Sequence, residues 1–200
     1  MTTLLIGLSG YSRSGKDSAA QVLVDGGWRR DAFADRLRTF LLNLNPLVPA
    51  HYDTPPYRLS NLVHAHGWDR AKELFPEIRS LLQRTGTEAG RAVLGEDIWV
   101  DALFRAFRPE AEALVISDVR FPNEARRVKA AGGVVIRIRR PGVGPLKTRD
   151  GAVHQSEIAL DDWPFDAEVV NDGSLDDLRD KLLRVALLAN TKLHTTQAGV

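Results

Sequence analysis

The sequence predicts an α/β fold in which helices cover both faces of a parallel sheet. Three short apolar runs, at 3–8, 113–119 and 134–140, have the length and composition of buried strands. Helical patterns separate these runs, and strands that alternate with helices form parallel sheets. Ligands of such sheets bind beyond the carboxyl ends of the strands, so these ends mark where a functional site is expected.

In the first half of the chain, a glycine-rich turn follows the first strand and leads into a helix. This helix is expected to end at Gly26 and Gly27. Residues 45–57 contain four prolines and are therefore predicted to be a loop. Pro76 is expected to start or kink a helix whose apolar residues recur from Leu74. The predicted elements are a strand at 3–8, a helix at 16–24, a weaker strand at 28–34, the helix around Pro76, and a helix at 97–107 that Asp97 opens.

In the second half, strands again alternate with helices. The strand at 113–119 is apolar until Asp118, and the next helix has Pro122 in its first turn and two glycines at its end. Three glycines and two prolines within 141–155 predict a mobile flap. The remaining elements are the strand at 134–140, a strand at 165–173, a closing helix with Leu175, Leu178, Leu182 and Val185 on one face, and a frayed tail after Asn190.

The composition excludes several classes of protein. The 200 residues, 44% of them hydrophobic, suit one compact domain with a small insertion. A formal net charge of +1 provides no general basic field for nucleic acid. The absence of cysteine excludes disulfides, thiolate catalysis and cysteine-based zinc sites. No apolar stretch approaches the ~20 residues of a membrane span, so a soluble intracellular protein is expected.

The stretch GLSGYSRSGKDSAA, residues 7–20, carries the clearest motif. Gly10 and Gly15 stand five apart with Lys16 next, which is the spacing G-x-x-x-x-G-K of phosphate-binding loops. Backbone N–H groups at 11–16 would point at an anion, and Lys16 would reach the outer phosphates. A flexible turn is the simpler alternative, but the position between a buried strand and a helix favours phosphate binding.

Three residues are candidates for a magnesium contact. Asp17 stands where the motif has Ser or Thr, so it would hold the metal through water, or Ser18 would take that role in a shifted register. Asp118 ends an apolar strand, where phosphoryl-transfer folds place a carboxylate near magnesium. The alternative for Asp118 is to cap the helix that begins near Pro122, and both roles are compatible.

Basic residues flank the predicted flap, and they are Arg137, Arg139, Arg140, Lys147 and Arg149. As a group opposite a phosphate loop, they are expected to neutralise charge in a transition state. HQSE, residues 154–157, places His154 and Glu157 on either side of a serine, but no nucleophile-elbow pattern is present, so a catalytic Ser-His pair is not expected. The HAH stretch at 64–66 is expected on a helix surface, and structural zinc is not indicated.

Several stretches, taken in order, resemble the bacteriophage deoxynucleoside monophosphate kinases. The most specific pair is SGKD, residues 14–17, with SDVRFPNEA, residues 117–125. FADRLR, LLQRTGTEAGR, GGVVIRIRRPG, HQSE and VVNDGSLDDL support the resemblance, which spans about residues 4–185.

The resemblance implies a three-layer P-loop fold with a five-stranded parallel sheet, like that of nucleoside monophosphate kinases. One domain at 1–190 would contain a monophosphate-binding region at 34–96 and a lid at 139–157, with a flexible tail at 191–200. The activity implied is transfer of the γ-phosphoryl group of ATP to a deoxynucleoside monophosphate (dNMP), with Mg²⁺. It would serve nucleotide biosynthesis for phage DNA replication in an infected bacterial cytoplasm. The partners implied are small-molecule substrates, without nucleic acid or membrane, and a homodimer stays open.

The resemblance also implies roles for individual residues. Lys16, Asp118, Arg120, Arg139 and Arg140 would be catalytic, with Arg120 on the acceptor phosphate and the last two in the lid. The ATP phosphates would be held by Gly10, Ser12, Arg13, Ser14, Gly15, Lys16, Asp17 and Ser18, and the adenine side by Asn171, Asp172 and Gly173. The dNMP would be contacted by Asp35, Arg36, Gln83, Arg84, Thr87, Glu88, Asn123 and Glu124.

Two other functions compete with this interpretation. A kinase for another small phosphorylated metabolite, such as dephospho-coenzyme A or phosphomevalonate, would share the loop and the sheet. A nucleotide-gated binding protein would hydrolyse ATP slowly, without stimulation by an acceptor. The charged residues that follow Asp118 favour a second small-molecule site and hence a kinase.

Overall fold

A computed structural model describes residues 4–49, 55–108, 113–146, 153 and 155–197. The strands are β1 (Leu5–Ser9), β2 (Arg29–Asp31), β3 (Leu47–Val48), β4 (Tyr57–Arg58), β5 (Leu114–Ile116), β6 (Val134–Arg139) and β7 (Ala167–Val170). The α-helices are α1 (Lys16–Asp25), α2 (Phe33–Leu44), α3 (Leu59–Leu74), α4 (Pro76–Gln83), α5 (Ile98–Phe104), α6 (Pro122–Ala130), α7 (Gln155–Ile158) and α8 (Leu175–Gln197), and a π-helix spans Arg84–Leu94.

The chain forms two compact units, one of residues 1–32 with 106–200 and the other of Phe33–Arg105. The first unit contains a five-stranded parallel sheet in the order β2-β5-β1-β6-β7. The predicted parallel sheet is therefore confirmed. Among the described residues, no helix has the length and apolar composition needed to cross a lipid bilayer.

Helices cover both faces of this sheet, as its apolar strands predict. On one face Ile6 and Leu8 of β1 share a buried cluster with residues of α1 and α8. Gly7 faces the other way, where a Cβ would lie 3.4 Å from Val128 of α6. Because successive strand residues point to opposite faces, β1 is buried between two helical layers. The first unit is thus a three-layer α/β/α structure.

The second unit consists of helices around a small antiparallel pair, β3 with β4. It has a buried cluster of its own, formed by Leu41, Val48, Leu59, Leu62, Ala71 and Ile78. Helix α3 is kinked at Gly67, whose φ is 69°. Pro76 starts α4, because the first turn of a helix does not use its N–H group.

Four expectations for individual elements need correction. The segment predicted as a loop at 45–57 contains β3 and the start of β4, which pair across residues 50–54, outside the described residues. The strand predicted at 113–119 is shorter, because β5 ends at Ile116. Leu175 begins α8 and is exposed, whereas Leu178 and Leu182 are buried. Helix α8 continues to Gln197, since no glycine or proline interrupts 191–197.

Candidate active site

The loop between β1 and α1 has the backbone geometry that its glycines predict. Gly10 has φ 138° and Gly15 has φ 99°, in the region where L side chains are strained. A Cβ on Gly10 would lie 2.2 Å from the carbonyl oxygen of Ile138, and one on Gly15 would lie 2.2 Å from Nδ2 of Asn171. Glycine is therefore required at both positions, which confines the loop tightly against β6 and the residue after β7.

Lys16 is the first residue of α1 and is buried. Its Nζ donates hydrogen bonds to the carbonyl oxygens of Gly10 at 2.6 Å and Tyr11 at 2.7 Å. Burial and the nearby charge of Arg120 lower the pKa of Lys16 to about 8, although neighbouring carboxylates act in the opposite direction. The ammonium group thus links two carbonyl groups of its own loop. It does so at a position where burial disfavours its charge.

The other loop residues differ in exposure. Ser14 is buried, and its Oγ has no hydrogen-bond partner within the described part of the chain. Its carbonyl oxygen accepts a hydrogen bond of 2.9 Å from Nδ2 of Asn171. Arg13 and Asp17 are exposed, and Ser18 is half-buried in the first turn of α1. A buried hydroxyl without a partner at the start of a helix is suited to an anion, because the hydroxyl needs an acceptor.

The segment after β5 brings two more predicted residues to the loop. Asp118 and Arg120 are both near enough to influence the pKa of Lys16, Asp118 raising it and Arg120 lowering it. Arg120 Nη1 lies 2.9 Å from Oε1 of Glu157. The sequence therefore predicts correctly that the ends of β1 and β5 converge, as the carboxyl ends of adjacent parallel strands do.

Helix α6 begins after Phe121, and its cap differs from the one considered for Asp118. Oε2 of Glu124 accepts hydrogen bonds from the backbone N–H groups of Arg120 at 2.7 Å and Phe121 at 3.0 Å. Glu124 is buried, so it fixes the loop that carries Arg120. The N-cap position of α6 is therefore Phe121, not Asp118, while a contact of Glu124 or the half-buried Asn123 with a substrate stays a prediction.

The basic residues around the predicted flap do not act as one group. Arg137 lies over the rings of Tyr11 and Phe165, at 5.5 and 5.4 Å from their centroids, and pairs with Asp161 at 3.0 Å. This arrangement makes Arg137 part of the packing beside the loop. The side chain of Arg139 pairs with Glu168 at 2.7 Å, and both Arg139 and Arg140 are exposed. Lys147, Arg149 and His154 lie outside the described residues.

The predicted adenine-side residues follow β7. Asn171 contacts the phosphate loop through Ser14, and its own N–H donates to the carbonyl oxygen of Arg139 at 2.7 Å. Asp172 pairs with Lys181 of α8, whose hydrogen bond lowers the pKa of the Asp172 carboxyl group. A Cβ on Gly173 would lie 2.5 Å from Oδ2 of Asp177. The turn is thus tied both to the phosphate loop and to α8.

The second unit contains the other residues predicted for the monophosphate. Arg84 and Glu88, on the π-helix, line a cavity of about 270 Å³ together with Leu81, Thr85 and Ala89. Gln83 and Thr87 are exposed nearby in sequence but do not line it. On α2, Asp35 accepts a hydrogen bond of 2.8 Å from Arg38, and Arg36 is half-buried. π-helices are rare, and those that do occur are frequently found at functional sites. This cavity is therefore a candidate site within the unit.

Two features of the site could not be found by motif reasoning. Glu157 appears in the sequence only as part of HQSE, yet its carboxylate contacts Arg120 and the N–H group of Ser12. Tyr11 is a variable position of the loop motif, yet its hydroxyl donates to Oδ1 of Asp161 at 2.7 Å. The contacts of Tyr11 with Asp161 and of Ser12 with Glu157 join residues 150 and 145 apart in the chain, and that of Arg120 with Glu157 joins residues 37 apart, so no local pattern records them.

The described residues contain no cluster of three or more His, Cys, Asp or Glu that would hold a metal by themselves. Mg²⁺ in phosphoryl-transfer sites is bound by one or two carboxylates together with substrate phosphates. Asp17, Ser18 and Asp118, placed at the start of α1 and after β5, fit such a shared site. The donor set is therefore compatible with a metal that arrives with a nucleotide.

The chain is similar to several known proteins. A dephospho-CoA kinase from Campylobacter jejuni, 16% identical, superposes with a TM-score of 0.48 over 93% of this chain and 97% of its own. The deoxynucleoside-5'-monophosphate kinase of Escherichia phage T5 is 36% identical over 85 residues, which cover 42% of this chain and 32% of that enzyme.

One relative is similar over nearly the whole length of both chains. A protein of Acanthamoeba polyphaga mimivirus, with a provisional assignment as a deoxynucleotide monophosphate kinase, is 30% identical over 203 aligned residues, 90% of this chain and 94% of the relative. The family model for deoxynucleotide monophosphate kinase matches residues 60–182, more than half of the chain. The loop of β1 and α1, the three-layer sheet and these matches lead to one assignment: the chain belongs to the deoxynucleotide monophosphate kinase family.

Proposed function

We propose that this protein transfers the γ-phosphoryl group of ATP to the phosphate of a dNMP, giving a deoxynucleoside diphosphate and ADP, and thereby supplies deoxynucleotides for DNA synthesis. The observation that carries the proposal is the pair of cations Lys16 and Arg120, which lie close enough for Arg120 to lower the pKa of Lys16. Two phosphate groups that approach each other repel because both are negatively charged. Two cations beside a phosphate loop would reduce this repulsion.

The ATP phosphates are assigned to the loop. Its amides and the helix N-terminus at Lys16 provide donors and a positive dipole. The buried Oγ of Ser14 supplies a further donor, while Ser12 and Arg13 complete the curve. Lys16 would exchange its two carbonyl partners for phosphate oxygens, which are the better acceptors for an ammonium group. On the adenine side we assign Asn171, Asp172 and Gly173.

Asp17, Ser18 and Asp118 would hold Mg²⁺ together with the nucleotide. When bound, this ion neutralises charge on the phosphate oxygens. The exposed position of Asp17 suits a contact through water, and the half-buried Ser18 offers a hydroxyl one residue later. Either donor keeps the metal contact at the first turn of α1.

The acceptor phosphate is assigned to Arg120, with Asn123 and Glu124 beside it. The buried cap made by Glu124 fixes the backbone of Arg120, so the guanidinium starts from a defined position. We assign the base and sugar of the dNMP to Asp35, Arg36, Gln83, Arg84, Thr87 and Glu88. The exposed Arg139 and Arg140, at the end of β6, are assigned to the closing lid.

The transfer proceeds in line. An oxygen of the acceptor phosphate forms a bond to the γ-phosphorus, the bond from that phosphorus to the β–γ bridging oxygen breaks, and ADP leaves with the electron pair. No general base is required, since the second pKa of a phosphate monoester is ~6 and the attacking oxygen is already ionised. Lys16 and Arg120 stabilise the charge that spreads over the migrating group, and exclusion of water prevents loss of ATP by hydrolysis.

A coupled ADP-release assay tests this function. Purified protein with Mg-ATP should release ADP rapidly only when dAMP, dCMP, dGMP or dTMP is added. Dephospho-coenzyme A, phosphomevalonate and no acceptor serve as comparisons within the same plate. Turnover with dephospho-coenzyme A alone, or slow release that no acceptor stimulates, would contradict the proposal.

Two variants test the residues that carry the proposal. Lys16→Ala and Arg120→Ala should each lower kcat/KM by at least about 100-fold, because each removes a cation that faces the migrating phosphoryl group. Circular dichroism and Tm should stay close to wild type, as neither side chain belongs to the buried apolar clusters. Near-normal kcat/KM in either variant would reject the corresponding assignment.

A further inference from the structure

We propose that Glu157 is a positioning residue for phosphoryl transfer, which acts by holding the guanidinium of Arg120 beside the phosphate loop. The inference rests on the proposed function and extends it to a residue outside the loop motif and outside the acceptor segment. It also gives HQSE, residues 154–157, a role that nucleophilic catalysis does not provide.

Glu157 and Arg120 form an ion pair whose two side chains differ in exposure. Oε1 of Glu157 lies 2.9 Å from Nη1 of Arg120. The Glu157 side chain is 8% exposed and the Arg120 side chain 37%. The carboxylate therefore lies behind the guanidinium, and the accessible part of the pair is the cation. A buried carboxylate held by a charge partner in this way fixes orientation more effectively than a surface pair, which loses its geometry to solvent.

The second carboxylate oxygen connects Arg120 to the loop and to the flap. Oε2 accepts from the backbone N–H of Ser12 and from that of Leu146, each at 3.4 Å. Both distances are at the long end of the hydrogen-bond range, so these contacts are weak and easily exchanged. Glu157 thus keeps Arg120 through its short contact while the Ser12 amide remains able to turn to a phosphate oxygen.

The surrounding space keeps the pair in place. Glu157 and Arg120, together with Gly10 and Tyr11, line a cavity of about 10 Å³. That volume corresponds to about one water molecule, so the residues that line the cavity pack closely around the pair. A guanidinium has five N–H donors and uses one of them here, which leaves donors for a phosphate. Fixing the cation before the substrate arrives lowers the entropic cost of reaching the reactive geometry.

Steady-state kinetics with each nucleotide varied in turn provide the test. Glu157→Gln keeps the size of the side chain and removes its charge. It should lower kcat by about tenfold or more and raise KM for the dNMP more than KM for ATP, because Arg120 loses a partner at 2.9 Å whereas the phosphate loop loses only the weak contact at Ser12. Glu157→Asp keeps the charge on a shorter side chain and should show the same pattern.

The matched control is Glu73→Gln, which removes an exposed partner of Arg70 at the same distance of 2.9 Å. It should leave all three constants unchanged. The double variant Arg120→Lys with Glu157→Gln should be no slower than Arg120→Lys alone, since Glu157 acts through Arg120. If Glu157 had a purely structural role, Glu157→Gln would instead lower kcat by the same factor in the wild type and in Arg120→Lys.

Side-chain NMR of the nucleotide-free protein measures how firmly Arg120 is held, independently of turnover. The Arg120 Nε–Hε signal should show slow guanidinium rotation in wild type and fast rotation in Glu157→Gln. Wild-type activity on dNMPs with unchanged kcat and KM in both Glu157 variants would overturn the positioning role alone. Failure of wild type to phosphorylate any dNMP would overturn the proposed function with it, so the two failures are distinguishable.

Discussion

Lys16 shows how the phosphate loop prepares for its ligand. The side chain is buried, and its ammonium group is satisfied by two carbonyl oxygens of its own loop. Asp17, Glu157 and Asp118 raise its pKa, but burial and Arg120 outweigh them and the pKa falls to about 8. Burial is the largest cause of the lowered pKa, so contact with the oxygens of a bound polyphosphate would favour the charged form of Lys16 again.

The depressed pKa of Lys16 predicts proton uptake when ATP binds. In the free protein at pH 8 about half of the Lys16 side chains are neutral, and phosphate oxygens should return the pKa towards its ordinary value of 10.5. Binding should thus take up about half a proton at pH 8, and ATP affinity should fall as pH rises above 8. Isothermal titration calorimetry in two buffers of different ionisation enthalpy measures this uptake.

The control for this prediction is Lys16→Arg, whose guanidinium does not titrate in the same range. ATP binding to this variant should take up no proton at pH 8. Equal proton uptake by the wild type and the variant would show that another group takes up the proton, and would contradict the prediction for Lys16.

At the residue scale, the sequence predicts contacts made by neighbouring residues and misses contacts made across the fold. The residues from Gly10 to Ser18 are recognisable, because backbone amides of a contiguous stretch carry the chemistry. The packing of Arg137 is not predictable, since its partners Tyr11, Asp161 and Phe165 come from other segments of the chain. Glu157 is missed as a partner of Arg120 for the same reason.

At the scale of elements, the phosphate loop depends on the strands beside it. Gly10 lies against the last part of β6, where the carbonyl oxygen of Ile138 leaves no room for a Cβ. Ser14 and Gly15 lie against Asn171, immediately after β7. The curvature of the loop is therefore set by three parallel strands together, and not only by the flexibility of its glycines.

Gly10→Ala should consequently be more harmful than an alanine at another glycine with positive φ. Gly27 has φ 90° and no atom within 4 Å of an added Cβ, so Gly27→Ala introduces backbone strain alone, about 1 kcal/mol. Gly10→Ala adds a clash with backbone that cannot rotate away, and we expect a loss of about 3 kcal/mol with weakened ATP binding. Urea unfolding and ATP titration of both variants measure the difference. Equal losses in both variants would show that the clash is relieved by movement.

Other elements follow from non-local packing and were therefore not predictable. The stretch RTGTEAGRAVL has helical composition, but only its tertiary contacts explain a π-helix. A Cβ on Gly86 would lie 2.9 Å from Leu37, and one on Gly90 would lie 2.7 Å from Trp99. The indole N–H of Trp99 also donates to the carbonyl oxygen of Gly86 at 2.9 Å. Glycine at these two positions allows the side chains of Leu37 and Trp99 to approach the backbone of the π-helix closely.

At the scale of the whole molecule, the described residues include two buried apolar clusters, one in each compact unit. Strands alternating with helices predict the first, which contains residues from β1, β5, β6, β7, α1 and α8. The second lies entirely within Phe33–Arg105. The sequence predicts an inserted monophosphate-binding region at 34–96, but it does not reveal a separate core, because that depends on which apolar residues of α2, α3 and α4 meet.

Separate cores predict that each unit can be loosened by itself. Ile78 is fully buried in the second core and Leu182 in the first. Ile78→Ala and Leu182→Ala should each cost about 2–5 kcal/mol locally. Hydrogen exchange followed by mass spectrometry should show faster exchange within 33–105 for the first variant, and within 1–32 and 106–200 for the second.

The same pair of variants separates the two substrates. Since the assigned base and sugar contacts lie mostly within 33–105, Ile78→Ala should raise KM for the dNMP more than KM for ATP. Leu182→Ala loosens the layer of α8 behind the phosphate loop and should raise KM for ATP more. Faster exchange throughout the chain in both variants, with both KM values raised equally, would mean that the chain unfolds as one cooperative unit. Two local patterns with opposite substrate effects would mean that each unit can be destabilised without the other.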